Sequence, residues 1–275
     1  MPDANLHRRK ILITAIESTY STDAAPQATS SYQAIRLIDP FEVDIGTEMV
    51  EVQGGNLTRG MSRPIATVRP IAVTFRTYFV GLDAQSYTGN IKPPAGDLLR
   101  ACGLFETFTS SDANGRPRYR YAPASDVGSD TSQTVVMHND GYEHRMVGAR
   151  GNLNLILKAS EPAVMEFNLR GLLTTEASTT RADSVVGLPT AVPPRWIGSG
   201  SIFIESLSAN MTNLNLATNN TVHPQRASRA DSASGFINIW LTERAPGGSF
   251  DPQATEPSTL DFFGVWRSTS GGVLR

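Results

Sequence analysis

The residues with the clearest chemical potential are two histidines that flank a tight turn. His138 and His144 stand on either side of Asp140-Gly141, within the run MHN-DG-YEHRM. Imidazole and carboxylate groups are common zinc ligands, so one interpretation of these residues is a metal site. Asp-Gly between two alternating runs, however, predicts a two-residue hairpin, whose register pairs His138 with Glu143 and His144 with Met137. Since the two histidines then lie on opposite faces of the ribbon, we predict no metal site here.

The other reactive residue types fall in patterns that do not favour catalysis. Cys102 is the single cysteine and lies on an apolar helical stripe, which predicts core packing rather than nucleophilic chemistry. The run Gly198-Ser-Gly-Ser201 is too short to cradle a phosphate. The sequence contains no nucleophile elbow, zinc-protease motif, Walker loop or dinucleotide fingerprint. We therefore expect a protein that is not an enzyme and carries no metal or cofactor.

The charge balance restricts the partners that the chain can have. Its 275 residues include 24 basic and 26 acidic residues, for a net charge of −2, which argues against a protein that grips phosphates. Of the bases 21 are Arg, a bias that suits protein interfaces or else reflects genome base composition. No segment approaches the roughly 18 consecutive apolar residues of a membrane helix, and the start lacks a signal-peptide core. We expect neither membrane insertion nor secretion by that route.

Apolar and polar residues alternate wherever a period can be read. The pattern is clear in Ile71–Val80, Leu153–Leu157, Ala163–Leu169 and Ile237–Leu241. Period two predicts antiparallel strands with one buried face, so the expected fold is mainly β. After the Asp140-Gly141 hairpin, the spacing of turn residues predicts a four-strand meander.

The sequence pattern predicts one helix and three long connectors. After Pro93-Pro94, the spacing of Leu98, Leu99, Cys102 and Phe105 predicts a helix of two to three turns against the β core, with Gly103 near its end. The connectors are rich in polar and turn residues; they are residues 18–32, 178–195 and 210–234. Loops of this length are often ordered by a partner, as in a subunit of an assembly.

Five short segments, taken in order, resemble those of the tail tube proteins of long, flexible-tailed bacteriophages. They are Glu17-Ser-Thr-Tyr-Ser-Thr-Asp with Pro26, Pro94-Ala-Gly-Asp-Leu-Leu-Arg-Ala-Cys-Gly-Leu, Tyr121-Ala-Pro-Ala-Ser125, the Asp140-Gly141 hairpin with Val147-Gly-Ala-Arg-Gly151, and Phe167-Asn-Leu-Arg-Gly171. The resemblance covers about residues 10–171, and more weakly 236–263.

That resemblance implies a single domain over residues 1–275, an antiparallel β-sandwich or barrel with one flanking helix. It implies a structural virion protein, made in the host cytoplasm, whose hexameric rings stack into a tube. The implied partners are further copies of the chain and the terminator, tape measure and distal tail proteins, while DNA passes through the lumen without specific binding. A slightly acidic protein suits such a conduit.

Two regions are expected to make the contacts between subunits. One is an N-terminal arm of about residues 1–20, in which the stretch from Arg8 to Glu17 would bridge rings and subunits. The other is a projecting loop over about residues 53–70, where glycines and Pro64 interrupt a strand pair. The candidate interface residues are Arg8, Arg9, Lys10, Met61, Arg63 and Arg69.

Two other functions remain open on the sequence. One is another tube-forming component, such as a distal tail protein or the inner tube of a contractile tail. The other is a jelly-roll module that binds carbohydrate, which needs aromatic side chains along a groove. The three tryptophans, Trp196, Trp240 and Trp266, are far apart in the sequence.

Overall fold

The computed structural model describes thirteen stretches of the chain. They are residues 10–26, 34–46, 48–51, 64–68, 70–81, 92–110, 118–124, 130–178, 192–196, 202–204, 207–209, 211–226 and 236–252. Arg8, Arg9, Met61, Arg63 and Arg69 lie outside these residues.

Within them the chain is mainly β, as the alternating pattern predicts. The helix is α1 (Gly96–Ala101), and the strands are β1 (Lys10–Ile16), β2 (Ala34–Ile35), β3 (Glu42–Ile45), β4 (Glu48–Glu51), β5 (Pro64–Val68), β6 (Pro70–Tyr78), β7 (Leu104–Thr109), β8 (Arg118–Pro123), β9 (Gln133–Asn139), β10 (Tyr142–Lys158), β11 (Val164–Ser178), β12 (Ile202–Ile204), β13 (Leu207–Ala209), β14 (Met211–Ala217), β15 (Asn220–Arg226), β16 (Phe236–Arg244) and β17 (Gly247–Pro252). No helix in the described part of the chain is long and apolar enough to cross a membrane.

The main sheet is antiparallel and open. Its order is β2-β1-β9-β10-β11-β6-β3, with β14 added beside β10 and β17 beside β14. Strand β10 is 17 residues long, and β11 runs along one of its edges. Its other edge is divided, since residues 142–149 pair with β9 and residues 154–158 pair with β14. These nine strands therefore form an open, branched sheet rather than a closed barrel.

The main core lies on the face of this sheet that α1 covers. The side chains of Phe75 and Phe167 stack there with ring centroids 5.4 Å apart, and both are almost fully buried. Burying one such side chain contributes about 1.5–3 kcal/mol. Leu98 of α1 and Cys102, which directly follows the helix, pack onto the same cluster, as predicted. The alternation of β6 and β11 is thus confirmed as one buried and one exposed face.

A smaller apolar cluster lies on the opposite face. The neighbouring pairs Met146–Leu173 and Val147–Leu172 on β10 and β11 divide between the two clusters, because successive residues of a strand point to opposite faces. Ile239 of β16 packs on the Val147 pair, so the β15–β16 ribbon forms a second layer. The layered, mainly β architecture with one flanking helix agrees with the fold class expected from the sequence.

Several details differ from the sequence predictions. The helix has six residues, less than two turns, because the chain reverses at Gly103, whose φ is +77°. Phe105 is therefore not on the helix but on β7, and it is 53% exposed. The predicted meander of four strands has three, since the strand around Leu153 continues β10 through a bulge near Gly148.

Two of the predicted loops and the arm also need correction. Within 210–234, residues 211–217 and 220–226 are strands β14 and β15. Within 53–70, residues 64–68 form β5, which pairs with β4, and Pro70 begins β6. Lys10–Ile16 of the predicted arm is a strand of the chain's own sheet, with β2 on one side and β9 on the other. Since β2 pairs with only Leu12 and Ile13, bridging between subunits by this segment stays a prediction.

Candidate assembly surface

The sheet ends in strands that have no partner on their outer side among the described residues. β3 pairs only with β6, and β17 pairs only with β14. Neither strand contains lysine, the residue that most often protects such edges. Both carry a half-exposed apolar side chain, Ile45 on β3 and Phe250 on β17, which are 37% and 43% exposed. These two edges can accept a strand or a side-chain layer from another chain.

An apolar strip connects the core to the β17 edge. Across β10, β14 and β17, Leu157 pairs with Leu214, which pairs with Phe250, and Leu155 pairs with Leu216. Leu214 is buried, but Leu216 is 42% exposed. The apolar face of the sheet is thus partly exposed to solvent at the β17 edge.

The β7–β8 ribbon follows directly after α1. Phe108 lies against Tyr119 with ring centroids 4.8 Å apart, and Phe108 is 41% exposed. Arg118 and Arg120 are exposed on the same ribbon. Aromatic residues and arginine are enriched where proteins bind proteins, so the composition of this ribbon is that of an interface.

A charged cluster fixes the ribbon to the helix. Lys92 Nζ lies 3.6 Å from Asp97 Oδ1 and 3.2 Å from Glu106 Oε1. The Tyr121 hydroxyl donates a hydrogen bond of 2.8 Å to Glu106 Oε2. Desolvation raises the pKa of Asp97, and desolvation together with the bond to Glu106 raises the pKa of Tyr121. Gly96 leaves room for the Tyr121 hydroxyl, which a Cβ would strike. The ribbon is therefore held in one orientation by α1.

A buried carboxylate joins the end of β1 to the bulge in β10. Glu17 is 7% exposed and accepts hydrogen bonds from Gly148 N at 2.7 Å, Ser21 N at 2.8 Å, Ser132 Oγ at 2.6 Å and Thr134 Oγ1 at 3.0 Å. Four donors satisfy a charge that would otherwise be costly to bury. The segment after β1 is thereby fixed to β9 and β10.

Arg150 and Tyr20 extend this attachment to β16. The Arg150 guanidinium lies 5.0 Å from the centre of the Tyr20 ring and donates to Ile239 O at 2.7 Å and to Asp130 O at 3.0 Å. The Tyr20 hydroxyl accepts a hydrogen bond of 2.6 Å from Ile239 N. Burial raises the pKa of Tyr20 to about 12 and lowers the pKa of Arg150. The two layers are joined here by cation–π and hydrogen-bond contacts.

The residues quoted for the tail tube resemblance meet in space. Glu17 and Tyr20 of the first segment contact Gly148 and Arg150 of the fourth. Likewise, Gly96 of the helical segment lies against Tyr121 of the third. The spacing of these segments in the sequence does not predict the contacts between them.

The histidines lie where the hairpin register placed them. His138 pairs with Glu143, their Nδ1 and Oε2 atoms 3.9 Å apart, and His144 Nδ1 lies 3.9 Å from Glu176 Oε1. Burial lowers the pKa of both histidines. The described residues contain no group of three or more histidine, cysteine or acidic side chains suited to a metal ion. Cys102 is fully buried, which raises the pKa of its thiol.

Lys10 is the one predicted interface residue within the described stretches. Its ammonium group donates to Phe41 O at 2.8 Å and lies 4.9 Å from the centre of the Phe41 ring. It thus has partners inside the chain, and its role between subunits stays a prediction.

Compared with models of known protein families, the chain matches none. A comparison with curated protein sequences likewise finds no match.

Proposed function

We propose that the chain is the tail tube subunit of a long, flexible-tailed bacteriophage, which forms hexameric rings that stack into the conduit for DNA. The observation that carries this proposal is the contact between segments of the resemblance. Glu17 binds Gly148, Arg150 covers Tyr20, and Tyr121 fills the space above Gly96. Since each contact requires particular residue types on two distant segments, it gives a physical reason for these segments to occur together.

The open sheet supports assembly. The outer edges of β3 and β17 lack partners among the described residues, and each has a half-exposed apolar side chain. A tube closes such edges between neighbouring copies, which removes the risk of uncontrolled pairing.

The face of the sheet opposite the main core is polar where β6 meets β11, outside the part that the β15–β16 ribbon covers, and this polar part is suited to a water-filled channel. On β11, Asn168 donates from Nδ2 to Thr74 Oγ1 at 2.8 Å, and Glu166 pairs with Arg76 at 2.5 Å. Such a surface is polar but nearly balanced in charge, so it offers DNA little attraction. A conduit through which DNA must slide requires this property.

Negative-stain microscopy and sedimentation velocity of the purified chain over a range of concentrations test the proposal. We expect rings or hollow tubes at high concentration, and tubes that bind no DNA at physiological salt. A protein that stays monomeric under all conditions would contradict it.

The same preparation distinguishes the alternatives. Rings that never stack would favour a distal tail protein, and binding on a glycan array without assembly would favour a carbohydrate module. Trp240 is half-buried, with its indole Nε1 donating to Gln225 Oε1 at 2.8 Å, so it does not form an open sugar platform.

A further inference from the structure

One face of the β7–β8 ribbon carries a pair of free arginines. Arg118 and Arg120 are two residues apart on β8 and pair with Thr109 and Thr107 of β7, so they lie on the face that also holds Phe105. Both arginines are exposed, and neither guanidinium group has a hydrogen bond or ion pair within the described part of the chain. The face therefore combines two positive charges with a largely exposed aromatic ring.

The outer edge strand β3 carries acids at the same spacing. Glu42 and Asp44 are also two residues apart, and both are exposed. Residues two apart on a strand lie about 6.7 Å apart, so the two charge pairs have matching separations. Arg76 is the cation near Glu42, but its guanidinium binds Glu166 at 2.5 Å. Among the described residues, the acids of β3 are thus available to another partner.

The two surfaces are attached to different parts of the subunit. The ribbon packs on α1, held by Lys92 and Glu106, whereas β3 packs on β6. Because each surface is held by its own neighbours, we expect the two surfaces to meet between two copies of the chain rather than within one copy.

We propose that the Arg118 and Arg120 face of the ribbon docks on the Glu42 and Asp44 edge of a second copy of this chain. This inference deepens the proposed function by naming the contact between neighbouring subunits, and it rests on that function for the choice of partner. Phe105, which is 53% exposed, supplies the apolar part of the contact from the ribbon side. Because the two surfaces differ, the contact is head-to-tail, the type from which rings or open filaments are built.

Charge reversal on either side tests this contact. One variant carries Arg118→Glu with Arg120→Glu, and the other carries Glu42→Arg with Asp44→Arg. Each alone places like charges together, so we expect assembly to weaken by about a hundredfold or more in concentration. An equimolar mixture of the two variants should assemble again, and so should a single chain with all four changes. Circular dichroism verifies that every variant is folded.

The turn between β10 and β11 offers a matched control. Lys158→Glu with Glu161→Lys reverses an exposed pair whose atoms are 3.9 Å apart. This control should assemble as the wild type does. Normal assembly of both single-sided variants, or a mixture that stays dissociated, would overturn the inference while leaving tube formation by the wild type intact.

Cross-linking separates the inference from the proposed function. Copies with Arg120→Cys are mixed with copies that carry Asp44→Cys and a different tag, at high concentration, with a short bifunctional maleimide. The native Cys102 is fully buried and does not compete. A link between the two tagged copies supports the contact even if no tubes form, and absence of this link counts against it in either case.

Discussion

The carboxylate of Glu17 binds the backbone amide of Gly148 at 2.7 Å, across 131 positions of sequence. The bond joins the residue that follows β1 to the bulge in the part of β10 that pairs with β9. Gly148 has a φ of +64°, a conformation that other residues rarely adopt. One buried side chain and one glycine therefore determine together how the N-terminal segment meets the centre of the sheet.

Glu17→Gln should lower the free energy of unfolding by about 3 kcal/mol. The glutamine NH2 group would face the hydrogen-bond donors that now surround the carboxylate, so some of those hydrogen bonds would be lost. Urea denaturation measures the change. Glu161→Gln is the control, since that side chain is 62% exposed, and its effect should stay below about 0.5 kcal/mol. Equal effects of the two substitutions would contradict the role of Glu17.

Gly148→Ala should destabilise the chain by at least about 2 kcal/mol, of which about 1–2 kcal/mol is the cost of the positive φ. The rest is steric, because the new Cβ would lie 2.8 Å from the Tyr20 hydroxyl. The additional cost should therefore fall when Tyr20→Ala is already present. Gly81→Ala, which meets nothing within 4 Å, is the control and should leave the unfolding midpoint unchanged. Strictly additive effects of Gly148→Ala and Tyr20→Ala would argue against the steric account.

The contrast between Gly141 and Gly148 explains how much the sequence could predict. Gly141 follows Asp140 in a two-residue turn, so its positive φ and the whole hairpin register depend on adjacent residues. The buried faces of β6 and β11 likewise follow from alternation. Gly148 depends on Glu17 and Tyr20, far along the chain, and no local pattern reports such a contact.

The wrongly predicted elements and the candidate assembly surface also depend on contacts between distant parts of the sequence. Leu98 and Cys102 fit a helical stripe, but Phe105 was wrongly assigned to it because the turn at Gly103 changes the period from helix to strand. Strands β14 and β15 are rich in polar residues, so their composition resembles a loop. The exposed arginine pair of β8 and the acid pair of β3 become visible as surfaces only when the pairing of each strand is known.

Gln133→Met should leave stability unchanged or raise it by about 1–3 kcal/mol. Gln133 is fully buried, and neither its Oε1 nor its Nε2 has a hydrogen-bond partner among the residues that the structure describes. Methionine keeps the shape and removes the two unsatisfied groups. Gln225→Met, at an exposed residue that binds Trp240, provides the comparison and should not stabilise. A loss above about 1 kcal/mol for Gln133→Met would indicate that the amide is satisfied after all.

Acidification should destabilise the chain as the pH falls below about 6.5, the ordinary pKa of histidine. Burial lowers the pKa of His138 and His144, so the unfolded chain binds protons that the folded chain excludes. Stability is then complete above that pH and is lost on the acid side, by at most about 1.4 kcal/mol per pH unit for each histidine. Chemical denaturation at pH 8, 7, 6 and 5 measures the slope.

The variant with His138→Gln and His144→Gln should show a shallower loss between pH 7 and pH 5. Its difference in stability from the wild type at pH 8 serves as the baseline. Identical slopes for the two proteins would assign the acid sensitivity to other groups.

The divided edge of β10 has a consequence for the growing chain on the ribosome. Its first half meets β9 across a two-residue turn, so this hairpin can form as soon as it emerges. Its second half must wait until synthesis has passed from Lys158 to Asn213 before β14 can cover it. During that interval Leu155 and Leu157 lie on an unpaired strand edge. Unpaired edges with exposed apolar side chains make nascent chains prone to aggregate. A chaperone that covers the second half of β10 for the few seconds of synthesis would raise the yield of folded protein.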